Sequence, residues 1–395
     1  MKKTHFLYLA IFGYFTFGCS SEKKPYGGLP FIDVRKNYPE KELILTDIAA
    51  VTYVHLNTRN DEYLYKEGIR CVTKNTIVVY DNLTGSILFF SKDGKPKSRF
   101  NRKGQGAEDY INLRQLIFDE DTDEVFVLSN WTKFQVYSSS GTYKRTFFLP
   151  QGTLVNPCIS FDNESLLIYD SSIERKKAFP NIKNFGDEFF EHPFVLISKS
   201  DGKVLEYIDL PSNTILLTDL RINRENGGVS AVKSRLIKCK DGVLLCNPET
   251  DTVFCYDKKG SLIPVFCKIP LVSETDPMIY MNNCVDVGNY QFIEIVTVRW
   301  EEGAFPFPVK YFMRDKKTGE VFRQKLVMPD FIGKEFLISP SRSGIDYENG
   351  PWVELDLFEL KQANFENRLN GKLKELVSTL DEDEDNNVFM FIDFK

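Results

Sequence analysis

Val253-Phe-Cys-Tyr-Asp-Lys-Lys-Gly260-Ser-Leu-Ile263 is the stretch on which the fold turns. An apolar, β-rich run leads into a short charged turn that carries glycine, and a second β-rich run leads out. Glycine reaches the positive φ of a tight hairpin turn without steric cost. The same element stands at Ile87-Leu-Phe-Phe-Ser-Lys-Asp-Gly94-Lys95 and at Phe134-Gln-Val-Tyr-Ser-Ser-Ser-Gly141-Thr-Tyr-Lys-Arg-Thr-Phe-Phe148. It stands again at Val195-Leu-Ile-Ser-Lys-Ser-Asp-Gly202-Lys-Val-Leu-Glu-Tyr207 and at Tyr311-Phe-Met-Arg-Asp-Lys-Lys-Thr-Gly319-Glu-Val-Phe322. Successive glycines are 47, 61, 58 and 59 residues apart. A repeat of that length matches one four-stranded propeller blade with room for loops. Five copies and the flanking termini predict an all-β chain, a six-bladed β-propeller of four-stranded blades.

Further turns fit the same plan. Asp119-Glu-Asp-Thr-Asp-Glu124 separates Gln115-Leu-Ile-Phe118 from Val125-Phe-Val-Leu128, and Cys239-Lys-Asp-Gly242 precedes Val243-Leu-Leu-Cys246. Both read as polar turns joining the inner strands of a blade. The C-terminus departs from the pattern. Phe365, Leu369, Leu373, Leu376 and Leu380 recur at helical spacing, which predicts an amphipathic helix over 359–380. Val388 to Phe394 then reads as a strand, as does Ala49 to Leu56 near the other end. Pairing these two in one blade would close the ring.

The chain begins Met1-Lys2-Lys3, runs nearly uncharged from Phe6 to Phe17, and reaches Gly18-Cys19-Ser20-Ser21. A basic start followed by about a dozen apolar residues is a secretory signal. A membrane span needs about 20 apolar residues. Thr16-Phe17-Gly18-Cys19 resembles the bacterial lipobox, in which a small residue precedes a cysteine that is acylated and becomes the new N-terminus. The expected organisation is therefore a signal peptide over 1–18, a lipidated tether over 19–30 carrying Pro25, Gly27 and Gly28, and a propeller domain over 31–395. Two acyl chains at about 0.8 kcal/mol per buried CH₂ anchor a protein stably. The facing of that anchor stays open.

The formal charge is −6. Lys2 and Lys3 are the only charges in 1–18, so the expected mature chain carries −8. An acidic chain is a poor partner for nucleic acid, whose affinity rests on Lys and Arg neutralising phosphates. Membrane contact is expected through the lipid anchor only. The 33 Phe and 18 Tyr favour strands. Besides Cys19, seven cysteines remain, five of them between Cys239 and Cys284, and no CxxC pair occurs. Small buried hydrophobes and one local disulfide are both open readings.

Four segments carry a family resemblance. They are Ile32-Asp33-Val34 with Leu45-Thr-Asp-Ile48 and Tyr53-Val-His-Leu56; Arg102-Lys-Gly-Gln-Gly-Ala-Glu-Asp-Tyr110; Asp251-Thr-Val-Phe254 with Gly260-Ser-Leu-Ile-Pro264; and Leu380 to Lys395, containing Asp385-Asn386-Asn387-Val388. The chain resembles, over nearly its whole mature length, the NHL-like six-bladed β-propeller lipoproteins of Gram-negative bacteria. Its glycine-rich loop departs from that pattern, which has Pro-Gly where Ala107-Glu108 stand. The resemblance implies the fold and a lipid-anchored place in the cell envelope, in the outer membrane. It implies no activity.

Candidate chemistry is sparse. Gly104-Gln-Gly106 would cradle phosphate only with a helix behind it, and Tyr110 to Phe118 reads as a strand. Asp119, Asp121 and Asp123 alternate as in a calcium loop, but Glu124 and Asn130 stand where Gly and Glu belong. Asp381, Asp383 and Asp385 fail in the same way, with Asn386 and Ile392. The mature chain has only His55 and His192, and no Gly-x-Ser-x-Gly elbow. No catalytic set, metal or cofactor is therefore expected. Trp131 and Trp300 each follow a strand-like run, and Arg299 adjoins Trp300. With Arg221, near Gly227-Gly228, they are the candidate ligand contacts; packing between blades is the alternative for the rings. The expected function is a lipid-anchored binding or scaffold module for a glycan, a peptide or an envelope protein. The rival is a propeller enzyme, a lyase or hydrolase, with its site at the central channel mouth.

Overall fold

The computed structural model describes residues 28–59, 61–66, 68–172, 190, 192–211, 222–224, 227–229, 235–248, 250–299, 307–340, 344–346 and 350–395. Three N-terminal strands come first: β1 (Phe31–Asp33), β2 (Glu40–Ile44) and β3 (Ala49–His55), with a one-turn helix α1 (Leu45–Ile48) before β3. Blade 1 follows as β4 (Gly68–Val72), β5 (Thr76–Asp81), β6 (Ser86–Ser91) and β7 (Pro96–Asn101). Blade 2 is β8 (Leu113–Asp119), β9 (Glu124–Ser129), β10 (Lys133–Tyr137) and β11 (Tyr143–Phe148). Blade 3 is β12 (Val155–Ser160), β13 (Ser165–Asp170), β14 (Phe194–Ser198) and β15 (Val204–Ile208). A small hairpin, β16 (Ile222–Arg224) and β17 (Gly227–Val229), separates it from blade 4. Blade 4 is β18 (Arg235–Cys239), β19 (Gly242–Cys246), β20 (Thr252–Asp257) and β21 (Leu262–Ile269). Blade 5 is β22 (Ile279–Val287), β23 (Tyr290–Thr297), β24 (Val309–Asp315) and β25 (Val321–Met328), extended by β26 (Phe331–Phe336). Blade 6 takes β27 (Gly344–Asp346), β28 (Gly350–Leu355) and β29 (Val388–Phe394) from the C-terminus and β3 from the N-terminus.

The ring is six four-stranded blades, closed as expected by the antiparallel pair β29 and β3, with Phe394 opposite Ala49 and Val388 opposite His55. This closure explains why five glycine turns serve six blades. Gly94, Gly141, Gly202, Gly260 and Gly319 each sit between the third and fourth strands of blades 1 to 5, at φ +86°, +82°, +74°, +80° and +77°. In blade 6 the third strand β29 pairs with β3 from the N-terminal segment, so no hairpin turn joins the two. Close approach reinforces the choice of glycine. A Cβ on Gly141 would stand 2.5 Å from Phe100 Cβ of blade 1, and one on Gly202 would stand 2.5 Å from the Phe147 ring of blade 2.

Second strands such as β5 and β13 are buried at every position, because neighbouring blades cover both faces. Hence their sequences read as unbroken apolar runs. The core consists of layers between blades. Phe126, Phe134 and Phe147 of blade 2 pack with Val155, Ile168 and Val195 of blade 3. Each fully buried side chain of this size contributes about 1.5–3 kcal/mol. One ion pair is buried between the same blades: Lys199 Nζ lies 2.5 Å from Asp119 and donates to the Asp162 carbonyl. That fills the expected inner-strand turn at 119–124 and gives the calcium-like aspartate a structural partner. None of the seven described cysteines is in a disulfide, and most of them are buried. Cys239 and Cys255 meet at 3.6 Å across Gly242, and their hydrogen bond holds Cys239 down to about 7.

The N-terminal strands add a feature that alternation alone did not signal. β1 pairs in parallel with β21, the outer strand of blade 4, and β2 pairs in parallel with β25, the outer strand of blade 5. The segment thus belts blades 4, 5 and 6 in turn. The C-terminal helix is also corrected. In place of one helix over 359–380 there are two, α2 (Leu357–Phe365) and α3 (Gly371–Ser378), inserted between β28 and β29. Asn367 and Gly371, at φ +57° and +53°, break the run. Leu360, Ala363, Leu369, Leu373 and Val377 are buried, whereas Phe365 faces out and is 88% exposed.

Candidate functional site

Strands alternate in direction within a blade. The turns between first and second and between third and fourth strands therefore share one end of the ring. Connections between second and third strands, and from blade to blade, share the other. The first end holds the glycine turns. The second, the loop end, holds the blade-to-blade connections, including the long one at 102–112. Ligand contacts on a rigid scaffold gather on such loops.

At the loop end of blades 1 and 2 the connection 102–112 is fixed from below. Tyr110 is fully buried, and its hydroxyl donates to the Gly85 carbonyl at 2.6 Å. The Tyr137 hydroxyl donates to the Glu108 carbonyl at 2.5 Å, and Gln135 Nε2 donates to the Asp109 carbonyl. Tyr80, Tyr110 and Tyr137 meet edge to face, with centroids 6.2 and 6.1 Å apart. Burial pushes the Tyr110 and Tyr137 hydroxyls well above the usual phenol range, so they remain donors at any physiological pH. The glycines of the loop make room for Asp109, whose carboxylate accepts from Gly106 N–H at 3.0 Å. A Cβ on Gly106 would stand 2.8 Å from it. That carboxylate occupies the place a phosphate would need, and a strand follows, so the turn reading holds.

Trp131 rises beside this pedestal. It lies in the turn between β9 and β10, where Asn130 and Trp131 are both left-handed, at φ +53° and +68°. Asparagine tolerates that conformation, but for a bulky residue it costs about 1–2 kcal/mol. The Arg114 guanidinium covers the indole, 4.7 Å from the ring centroid. Three exposed apolar side chains stand on the same end of blades 1 and 2: Leu83 is 76% exposed, Ile111 47% and Phe148 67%. The Lys103 stem lies against Gly85, two residues after Leu83. Lys133, opposite Phe148 in the β10–β11 pair, donates to the Ala107 carbonyl at 3.3 Å. The result is an aromatic and aliphatic patch with a basic rim on an acidic protein.

The other candidates do not join it. Arg299 is exposed at the end of β23, on the loop end of blade 5, across the ring from blade 2. Arg221, Trp300 and Cys19 lie outside the described residues. His55 stands on the outer strand of blade 6, 3.2 Å from Asp385, and His192 pairs with Asp209 at blade 3. The two histidines share no site. Among the described residues no group of three His, Cys, Asp or Glu converges as a metal site. Sequence reading missed Arg114, which meets Trp131 only through packing, and the exposed Leu83, Ile111 and Phe148 on the same end of blades 1 and 2. The one available signal was Asn130-Trp131 itself, a turn dipeptide with tryptophan where glycine is usual.

Blades of this kind, closed by both termini, define a six-bladed β-propeller. The chain belongs to the family described as a domain of unknown function, DUF4934, whose profile matches residues 29–393. No curated protein matches its sequence. Among solved structures it is similar to a protein of Bacteroides fragilis NCTC 9343 whose name proposes that it is exported. The identity is 15% and the TM-score 0.60, with 93% of this chain and 99% of that one covered. A member of the DUF4221 family from Bacteroides vulgatus ATCC 8482 aligns at 10% identity and TM-score 0.49, covering 88% and 97% of the two chains.

Proposed function

We propose that this protein is a lipid-anchored envelope propeller of the NHL-like type. Its loop end at blades 1 and 2 binds an extended peptide or a segment of an envelope protein. The observation that carries the reading is Trp131, held in a costly left-handed turn and presented under Arg114. Strain of this kind collects at binding sites. Tryptophan and arginine are the residues that dominate binding energy at interfaces. Leu83, Ile111 and Phe148 spread apolar surface over three connections, more than one sugar ring would cover, so a peptide fits better than a glycan. The anchor is Cys19, with 1–18 removed on export and 19–30 as tether. The lipobox-like Gly18-Cys19 and the exported-protein name of the B. fragilis neighbour support that part.

The test is a thermal-shift screen of the mature chain against peptides, glycans and divalent metals. A ligand that binds only the folded state raises Tm. A shift with peptides that disappears in Trp131→Gly is expected. A shift that survives the substitution overturns the site, and one with metals alone favours the enzyme. For the anchor, mass spectrometry of the membrane fraction should find diacylglycerol on Cys19. Cys19→Ser should release the protein.

A further inference from the structure

The belt formed by β1 and β2 shows twice how this propeller adds a strand to the outside of a blade. In blade 4, β1 lies parallel to the outer strand β21, with Phe31 beside Cys267 and Asp33 beside Ile269. In blade 5, β2 lies parallel to β25, from Glu40 beside Arg323 to Ile44 beside Val327. In both cases a fifth strand seats an apolar residue: Ile32 is fully buried, and Leu43 packs partly buried against the core. Blade 6 has the same outer position beside β3. No strand among the described residues pairs there, because β3 ends its sheet.

An open groove of about 680 Å³ runs along that edge. Thr52, Tyr53, Val54 and His55 line it in succession, so it follows the strand's backbone and not a single face. The glycine turn of blade 1, Lys92 to Lys95, forms one wall, and Leu376 of α3 contributes to the other. Among the described residues three other blades also end on an outer strand with no further pairing, but each is guarded. β7 carries Pro96, Lys97 and Arg99, β11 carries Lys144 and Arg145, and β15 carries Glu206. Charges and proline on an edge discourage pairing with another chain. β3 reads Ala-Ala-Val-Thr-Tyr-Val-His, with no Lys, Arg, Asp, Glu or Pro.

We infer that the β3 edge is a strand-addition site, taking an extended segment of a partner protein parallel to β3, as β1 and β2 lie on blades 4 and 5. Main-chain hydrogen bonds supply the affinity in this mode, and alternate side chains supply specificity. The chain's own fifth strands give the chemistry of the occupant. Each combines apolar residues with acids, namely Asp33 in β1 and Glu40 and Glu42 in β2. The groove wall carries Lys92, over the Phe391 ring, and Lys95, paired with Asp93 at 2.6 Å, which leaves it one net positive charge. An alternating apolar and acidic segment matches it. This site lies on the outer rim, away from Trp131, and does not depend on the reading given above.

The experiment is hydrogen–deuterium exchange on the full mature chain, with and without a capped hexapeptide of alternating valine and glutamate. Exchange over 50–54 should slow by about 10-fold, while β7, β11 and β15 are unchanged. Thr52 is exposed, so Thr52→Lys adds an edge charge without touching the core and should remove the protection. The same hexapeptide with alternate N-methylated amides should give none, which keeps the test decisive if the variant folds poorly. Unchanged exchange over 50–54, equal protection of β15, or protection by the N-methylated peptide would overturn the proposal.

Discussion

The two ends of this ring use left-handed backbone for opposite purposes. At the turn end it serves packing. Five glycines take positive φ in these turns, Gly94, Gly141 and Gly202 in close contact with the adjacent blade, and the polar residue opening each turn pins it. Asp257 accepts from Lys259 N–H and Ser261 N–H at 2.8 Å each, and Asp315 accepts from Lys317 N–H at 2.7 Å. At the loop end of blade 2 the same backbone region holds Trp131, whose indole lies against the Arg114 guanidinium. Glycine there would relieve strain. The fold therefore accounts for the glycines and does not account for the tryptophan. Local conflict of that sort marks a residue kept for something outside the fold.

The largest way to break the turn end is to remove the ion pair beneath it. Lys199 opens the Gly202 turn and reaches Asp119 of blade 2, and both side chains are almost fully buried. Lys199→Ala strands a buried carboxylate and should cost about 3–5 kcal/mol in urea unfolding. The pair Lys199→Met with Asp119→Asn should recover part of that loss. A single variant within 1 kcal/mol of wild type, roughly the worth of a surface pair, would show that water replaces the lysine.

The glycines themselves should divide. On Gly94 a Cβ would collide with the His55 carbonyl of blade 6, whereas on Gly319 the nearest atom is Arg314 Nη2 at 3.9 Å. Gly94→Ala then carries both the left-handed cost and overpacking, about 2–4 kcal/mol in all. Gly319→Ala carries only the first, about 1–2 kcal/mol. Equal losses in denaturant midpoints would mean that blade contact plays no part in choosing glycine.

The same contrast explains what could be read from the sequence. The glycine turns were legible because a local rule demands the residue at every turn, and contact with the adjacent blade demands it again at Gly94, Gly141 and Gly202. The closing strands were legible because β29 and β3 are apolar at both ends of the chain. The belt was not. Phe31-Ile-Asp33 and Glu40 to Ile44 are too short and too polar to announce strands, and their pairing partners lie more than 200 residues away. The C-terminal insert was read half correctly. Leu369 and Leu373 do face the core, but Asn367 and Gly371 break the helix between Phe365 and Lys372, and spacing alone does not weigh such a break. The site at Trp131 was legible as one residue only, because Arg114 reaches it through tertiary packing.

Trp131 sharpens the comparison from the other side. Trp131→Gly removes the left-handed cost and loses one exposed cation–π contact of about 0.5–1 kcal/mol. The net change should be a stabilisation of roughly 0.5–1 kcal/mol, accompanied by loss of ligand. Trp131→Ala keeps the strain and loses the contact, so it should be slightly less stable than wild type. Opposite signs in calorimetry would identify the tryptophan as a binding residue retained against stability. Destabilisation by glycine would make it a packing residue.

The smallest effect belongs to His55, where the two ends of the ring meet. Its carbonyl abuts the Gly94 turn, and its ring faces Asp385 from the loop-end insert. Burial lowers its pKa below the ordinary histidine value of 6.5, and the nearby Asp385 only partly offsets that. The imidazole is then neutral in the folded chain at neutral pH. Because its folded pKa lies below its unfolded one, its contribution is fully present above about pH 6.5 and is lost as pH falls through the folded pKa. Wild type should lose denaturant resistance below pH 6.5 faster than His55→Gln, which has nothing to protonate. Urea midpoints at pH 7.5 and 5.5 measure the difference. If the two proteins fall in parallel, the Asp385 carboxylate compensates burial in full, and the junction between the ends is an ion pair instead of a desolvated ring.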